Sequence, residues 1–251
     1  MTEFLVFTLY GPFASWGGIA VGEVRGTDFV PSRSAVLGLL AASLGIRREQ
    51  PAQLQALSGA VGVAVLVEAD GVLLEDYHTA QTLPAKMNGR WHTRAEEIAL
   101  GAEHDTLETI LSWRGYRCDA LYRVAIWART TEPSLATIRA ALAAPFFTPS
   151  LGRRACAVAA PLAARIIEAP TVEQAIATYA ALPELDRLNR RLRPVMRRHQ
   201  ASTKLLAADM DAPLATVATT EVIRRDQPIE RRADRWFFED RREQRLFLPS
   251  A

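Results

Sequence analysis

Lysine, cysteine and long apolar runs are what this 251-residue sequence has least of. Two cysteines, Cys118 and Cys156, are too few for a disulfide scaffold or a zinc site. Both sit among strand-like residues and read as small core hydrophobes. No apolar run approaches the roughly 18 residues of a membrane span. The N-terminus lacks the basic, apolar and small-residue order of a signal peptide, so the expected location is cytoplasmic, with no membrane contact. What remains is an ordinary globular composition, 49% hydrophobic and 23% charged, in a chain long enough for one large domain or two small ones.

Lys86 and Lys204 are the only lysines, and every other cation of this kind is arginine. A GC-rich genome produces that bias without function. Arginine forks also grip phosphates bidentately and stack on bases better than lysine does. Clustering along the chain has to separate these readings.

The first strand, Glu3–Leu9, runs into "LYGPFASWGG" (9–18). A phosphate-cradling P-loop would need Gly-Lys-Ser or Gly-Lys-Thr at the helix start, and here the glycines meet Ile19 and Ala20. Nucleoside triphosphate binding is therefore not the expected reason for the glycines. "PSRSAVLGLLAASLG" (31–45) reads as a helix started by Pro31 and Ser32 and ended by Gly45. Strand-like segments 61–68 and 72–77 flank Asp70-Gly71, which predicts a hairpin. A polar stretch from Thr79 to Gly115 carries its own Asn88-Gly89 turn. Residues 121–128 predict an alternating strand, 133–142 a helix, and 161–169 a closing strand. Thr171 and Gln174 predict a capping box. Two strand-like segments after Ala215, separated by 226–234, predict a small C-terminal β element. The order is close to a ferredoxin-like (RRM-like) βαββαβ arrangement in an α+β protein. It divides the chain into 1–170, interrupted by the insertion 79–115, and 171–251.

Arginines gather in three places. Arg25 and Arg33 bracket the entry to the first helix, whose N-terminal N–H groups, with Ser32 and Ser34, suit an anion; an ordinary capped helix explains the same residues. In "FFTPSLGRRACAV" (146–158), Phe146 and Phe147 stand beside Arg153 and Arg154, as single-stranded RNA binding uses. The alternative is core phenylalanines, and one of the pair is expected in the core in either case. The third is "RLNRRLRPVMRRHQASTK" (187–204), where Arg190, Arg191, Arg193, Arg197 and Arg198 lie in a run without a carboxylate. A basic helix broken at Pro194 would lie along a phosphate backbone, as a further nucleic-acid or subunit contact; a solvated arginine-rich face is the alternative.

Catalysis has thin support. Tyr77, His78, Lys86 and His92 suit metal-independent RNA cleavage chemically, but nothing in their spacing brings them together. There is no His-x-x-x-His pair and no Gly-x-Ser-x-Gly elbow. Neither a catalytic residue, a metal nor a cofactor is expected.

"LYGPFASWG", "VPSRSAVLGLLAASLGI", "DYHTAQ" (76–81), "LSWRGYRCDALYRVAIW" (111–127) and "TPSLGRRACAVAAPL" (148–162) together resemble the CasD family of type I-E Cascade, a CRISPR antiviral complex. These blocks span about the first two-thirds of the chain, in family order. The resemblance implies a repeat-associated RNA-binding protein with a ferredoxin-like domain and a thumb hairpin, here 79–115. Such a subunit holds the 5′ repeat-derived handle of the guide RNA and caps one end of the complex. Its implied partners are the backbone subunit CasC, the large subunit CasA and, indirectly, target DNA. Arg25, Ser32, Arg33, Ser34, Arg114, Arg153 and Arg154 would grip the handle, with His78 and Phe147 beside them. The glycine loop would let backbone and aromatics approach RNA or a partner. A sister branch in type I-C systems cuts RNA, which keeps a repeat-processing endoribonuclease as the alternative. A protein-binding scaffold is the third reading.

Overall fold

The computed structural model describes residues 1–18, 20, 22–84, 93–103, 105–199, 203–215, 219–232 and 235–249. Lys86, the Asn88-Gly89 turn and His92 lie outside them. Along the chain run β1 (Thr2–Tyr10), β2 (Phe13–Ala14), β3 (Val24–Arg25), α1 (Arg33–Leu44) and α2 (Pro51–Ala60). Then come β4 (Val61–Ala69), β5 (Val72–Thr82), α3 (Arg94–Glu103), β6 (Glu108–Cys118), β7 (Leu121–Ala128) and α4 (Leu135–Ala143). The last third holds β8 (Arg165–Ala169), α5 (Val172–Ala180), α6 (Asp186–Arg198), β9 (Thr203–Asp209), β10 (Thr220–Arg232) and β11 (Arg235–Pro249).

An antiparallel seven-stranded sheet, in the order β10-β11-β9-β4-β7-β1-β8, organises this mixed α+β protein. Its central strands β1, β4 and β7 are buried along nearly their whole length because both faces are covered. Leu5, Phe7 and Leu9 of β1 pack under Leu37 and Leu40 of α1, Leu57 of α2 and Ile138 of α4. Phe4 and Val6 pack on the other side with Val172, Ile176 and Tyr179 of α5. The alternating pattern predicted for 121–128 is therefore corrected: seven of the eight β7 residues are buried. An RRM leaves one sheet face open for stacked bases. Here α5 covers that face over β1, β7 and β8.

Local signals for the helices hold. Ser32 caps α1 by accepting from the Ala35 amide at 3.1 Å, Ser134 caps α4 and Thr171 caps α5. Two other expectations fail for reasons of tertiary pairing. β4 and β5 do not form a hairpin across Asp70-Gly71. β4 pairs with β7 and β9, whereas β5 pairs with β6 over its full length. Gly71, at φ +65°, turns the chain from one sheet to the next, and a Cβ there would stand 2.2 Å from the Cys118 carbonyl oxygen. The ribbon β5–β6 therefore begins at Val72 and ends at Cys118, with α3 inserted between its strands.

The C-terminal strands are not a small separate element either. β10 runs straight through Asp226–Arg232, and β11 pairs with β9, which joins the central strands. The sheet thus continues across the chain division at 170. Pro194 does not break α6, which continues to Arg198. The carbonyl of Arg190, which loses its helical partner to the proline, lies on the exposed side of the helix, where water can satisfy it.

Candidate nucleic-acid groove

The loop 146–158 is docked by its backbone. The amides of Phe146 and Phe147 donate to Ser43 and Ala42 carbonyls at 3.0 and 3.1 Å, fixing the loop to the last turn of α1. Further on, the Ser15 amide donates to the Leu151 carbonyl at 2.9 Å. A Cβ on Gly11 would stand 2.4 Å from the Ala157 carbonyl oxygen, so glycine lets the opening loop close against 146–158. That close contact is what this glycine is for. Trp16 is buried edge-on to Tyr122 at 5.5 Å instead of facing a ligand, whereas Phe13 is exposed, so the expectation that the loop presents its aromatics outward is corrected for Trp16.

Between this loop and α1–α2 lies a groove of about 1200 Å³. That exceeds the roughly 300–1,000 Å³ of small-molecule pockets and suits a polymer. Ser32, Ser34, Phe147, Arg153 and Arg154 all line it. The structure brings together five of the residues picked from the sequence. Phe146 is 68% and Phe147 36% exposed, so neither is in the core, contrary to the expectation for one of them. Their backbones are committed to α1, which leaves the rings outside. The rings meet edge to face at 4.8 Å.

The two arginines of the loop differ in kind. Arg154 is exposed and makes no hydrogen bond or ion pair with a described residue. Arg153 is half-buried, donating to the carbonyls of Gly115 at 3.1 Å and Arg25 at 2.7 Å, with its guanidinium 4.7 Å over Tyr116. It braces the base of the ribbon while bordering the groove. Arg47 and Arg48 line the opposite rim, and Arg47 sits 5.7 Å over the Phe147 ring. Sequence reasoning missed both, although a paired arginine directly after the helix end at Gly45 was the available signal.

Arg33 leaves the site. It is 3% exposed, and its five guanidinium N–H groups are all used. They go to Asp209 and the Ser58 hydroxyl at 3.0 Å, Gln227 at 3.1 Å, and the Ser58 and Val61 carbonyls at 2.8 Å. The first amide of α1, that of Arg33, donates to Asp226 at 2.8 Å. An internal carboxylate thus takes the first amide of the helix, in the place expected for an external anion. Burial pushes the Asp226 carboxyl up. The Arg241 hydrogen bonds and charge, the Arg33 amide and the Arg224 charge outweigh it and hold the group below the usual carboxylate range.

Arg25, Arg114 and His78 lie at the ribbon and do not border the groove. Arg25 is the register partner of Arg114, and Arg114 stands opposite Asp76. His78 Nδ1 lies 3.1 Å from Asp76 in an exposed pair. The other face of the ribbon exposes Tyr77 and Trp113, 5.0 Å apart. Arg190, Arg191, Arg193, Arg197 and Arg198 are exposed on α6 and do not border the groove, and Arg198 reaches Asp119, beside the end of the ribbon, at 2.9 Å. Cys156 is buried as expected, whereas Cys118 is only half-buried at the end of the ribbon.

Comparison with known proteins follows this geometry. The chain is 35% identical over 185 residues to the CRISPR system Cascade subunit CasD of Escherichia coli (strain K12), covering 71% of this chain and 78% of that protein. A chain of a CRISPR RNA-guided surveillance complex superposes with a TM-score of 0.63 at 24% identity, over 98% of this chain and 90% of the other. A second solved Cas protein gives 0.60 at 23%, over 98% and 95%. At those identities the two structures speak for the fold alone. The family described as CRISPR-associated protein (Cas_Cas5) matches residues 4–245. With nearly the whole length matched, this chain belongs to the CRISPR-associated Cas5 family.

Proposed function

We propose that this protein is a non-catalytic, guide-RNA-binding subunit of a Cascade-type surveillance complex, holding the 5′ repeat-derived handle at one end. The observation that carries this reading is the groove, which gathers Ser32, Ser34, Phe147, Arg153 and Arg154 along one trough of about 1200 Å³. Hydroxyls and guanidinium groups suit phosphates, and an exposed phenylalanine suits an unstacked base. Similarity to the E. coli CasD subunit supports it.

The order β4-β7-β1-β8, with α1 and α2 after β1 and α4 before β8, supports a ferredoxin-like reading of the first 170 residues. We read the β5–β6 ribbon as the thumb, longer than 79–115, with Arg25, Arg114 and His78 at its base meeting RNA. The exposed Leu73, Tyr77 and Trp113 on one side of it suit a protein neighbour, in this proposal the backbone subunit CasC. CasA is a further partner in the same complex, and target DNA is reached through the assembly. Residues 171–251 supply the strands β9, β10 and β11 of the sheet and the helices α5 and α6.

Cleavage is not favoured. Among the described residues His78 has Asp76 as its side-chain partner on an exposed strand. Incubating the protein with end-labelled repeat RNA tests the reading. Retention of uncut RNA, weakened by Arg154→Ala, is expected; shortened RNA or no retention overturns it.

A further inference from the structure

α6 carries six arginines against one acidic residue, Asp186, in a chain whose formal net charge is only +2. At 100° per residue, Leu188, Leu192, Val195 and Met196 fall on one side. These four pack against Tyr10, Ala69 and Leu121 at the end of the sheet where the ribbon departs. Asn189 locks the same side, accepting from buried Arg123 at 2.8 Å and donating to the Ala180 carbonyl at 2.8 Å. The six arginines fill the remaining arc of about 160° and are all exposed.

Strand alternation places this helix on the far side of the sheet from the groove. Tyr10 and Leu121 alternate with Leu9 and Tyr122, which face the α1 layer. RNA held in the groove therefore leaves α6 free for another partner. Arg190 has Asp186 at 3.6 Å and Arg198 has Asp119 at 2.9 Å. Arg187, Arg191, Arg193 and Arg197 have no ion pair with a described residue.

The chemistry selects among polyanions. Single strands are held by stacking platforms as well as charge, and α6 contains no aromatic residue. The deep, narrow major groove of A-form RNA does not admit a helix. A B-form duplex offers one phosphate charge per roughly 1.7 Å and a major groove of about 12 Å, along which a 13-residue helix extends for about 20 Å. We propose that the arginine face of α6 is a second nucleic-acid site that binds the phosphate backbone of a DNA duplex without reading its sequence.

The test is binding of a fluorescent 30-base-pair duplex to the full-length protein, measured by anisotropy across salt concentrations. Replacing Arg187, Arg191, Arg193 and Arg197 together by alanine should flatten the slope of log affinity against log salt by about 3.6, four contacts at about 0.9 each. The corresponding four lysines should restore most of the slope, since phosphate contacts need charge more than fork geometry. Arg154→Ala should leave duplex binding unchanged, and the α6 variant should still retain repeat RNA. An unchanged duplex slope in the alanine variant overturns the proposal. So does loss of repeat RNA with the duplex unaffected, or failure to join a protein partner with the duplex unaffected. Because the duplex and the handle RNA are measured separately, failure of one reading does not decide the other.

Discussion

Arg33 and Asp209, 176 positions apart in the chain, meet inside the protein with Nε 3.0 Å from Oδ2. Asp209 also accepts from the Val63 amide at 3.1 Å, from Arg129 at 3.0 Å and, through its other oxygen, from Arg241 at 2.9 Å. One carboxylate thus ties the start of α1 to β4, β9 and β11. Asp209→Ala leaves buried guanidinium charge without its partner and should cost about 3–5 kcal/mol of folding stability. Urea denaturation reads it, and an unchanged midpoint would remove the network from the account of stability.

Asp226 gives the same cluster a pH dependence. Its folded pKa is depressed, so the stabilisation is fully present above the unfolded value of about 3.9. It is lost as pH falls through the folded pKa, below that value. Acid unfolding of the wild type should therefore steepen below about pH 4. In Asp226→Asn that part of the profile should flatten, with lower stability at neutral pH. A mutant profile parallel to wild type at low pH would contradict the assignment.

Arg153 and Arg154 are adjacent in sequence and should behave differently. Arg154→Ala should flatten the salt slope of repeat-RNA binding by about 0.7, the value for one single-strand phosphate contact, with the melting temperature unchanged. Arg153→Ala removes charged hydrogen bonds to the Gly115 and Arg25 carbonyls. It should destabilise by about 1.5–3 kcal/mol and increase hydrogen exchange at the base of the ribbon. Equal behaviour of the two variants would undo the distinction between grip and brace.

Phe147 lies at the groove and is not in the core. Phe147→Ala should weaken RNA binding by about 1–3 kcal/mol if the ring stacks on a base, without altering the salt slope. Its folding cost should fall well short of the roughly 3–5 kcal/mol of a core phenylalanine. Calorimetric melting and RNA titration on one preparation separate these effects.

Replacing His78 and His92 together by alanine should leave guide RNA length and ends unchanged. Accumulation of uncut precursor by a folded double variant would transfer the protein to the processing-enzyme class.

Short-range chemistry was legible in the sequence. Ser32 and Thr171 cap their helices through amides three residues away, and the apolar runs of β1 and β4 have nowhere to go but a sheet centre. The loop 146–158 carried its aromatic and basic groups in one stretch, so its place at the groove followed from local order. What the sequence could not determine was pairing over long separations. Asp70-Gly71 has the composition of a hairpin turn, yet β4 finds β7 and β9 while β5 finds β6, because burial of the β4 side chains on both faces outweighs local turn preference. Arg33 looked like a phosphate ligand beside a helix start, and only the fold delivers Asp209 and Asp226 to it from the far end of the chain. A charge shows its type in the sequence, but whether it faces solvent or a buried counter-charge is decided by which distant strands come to lie beside it.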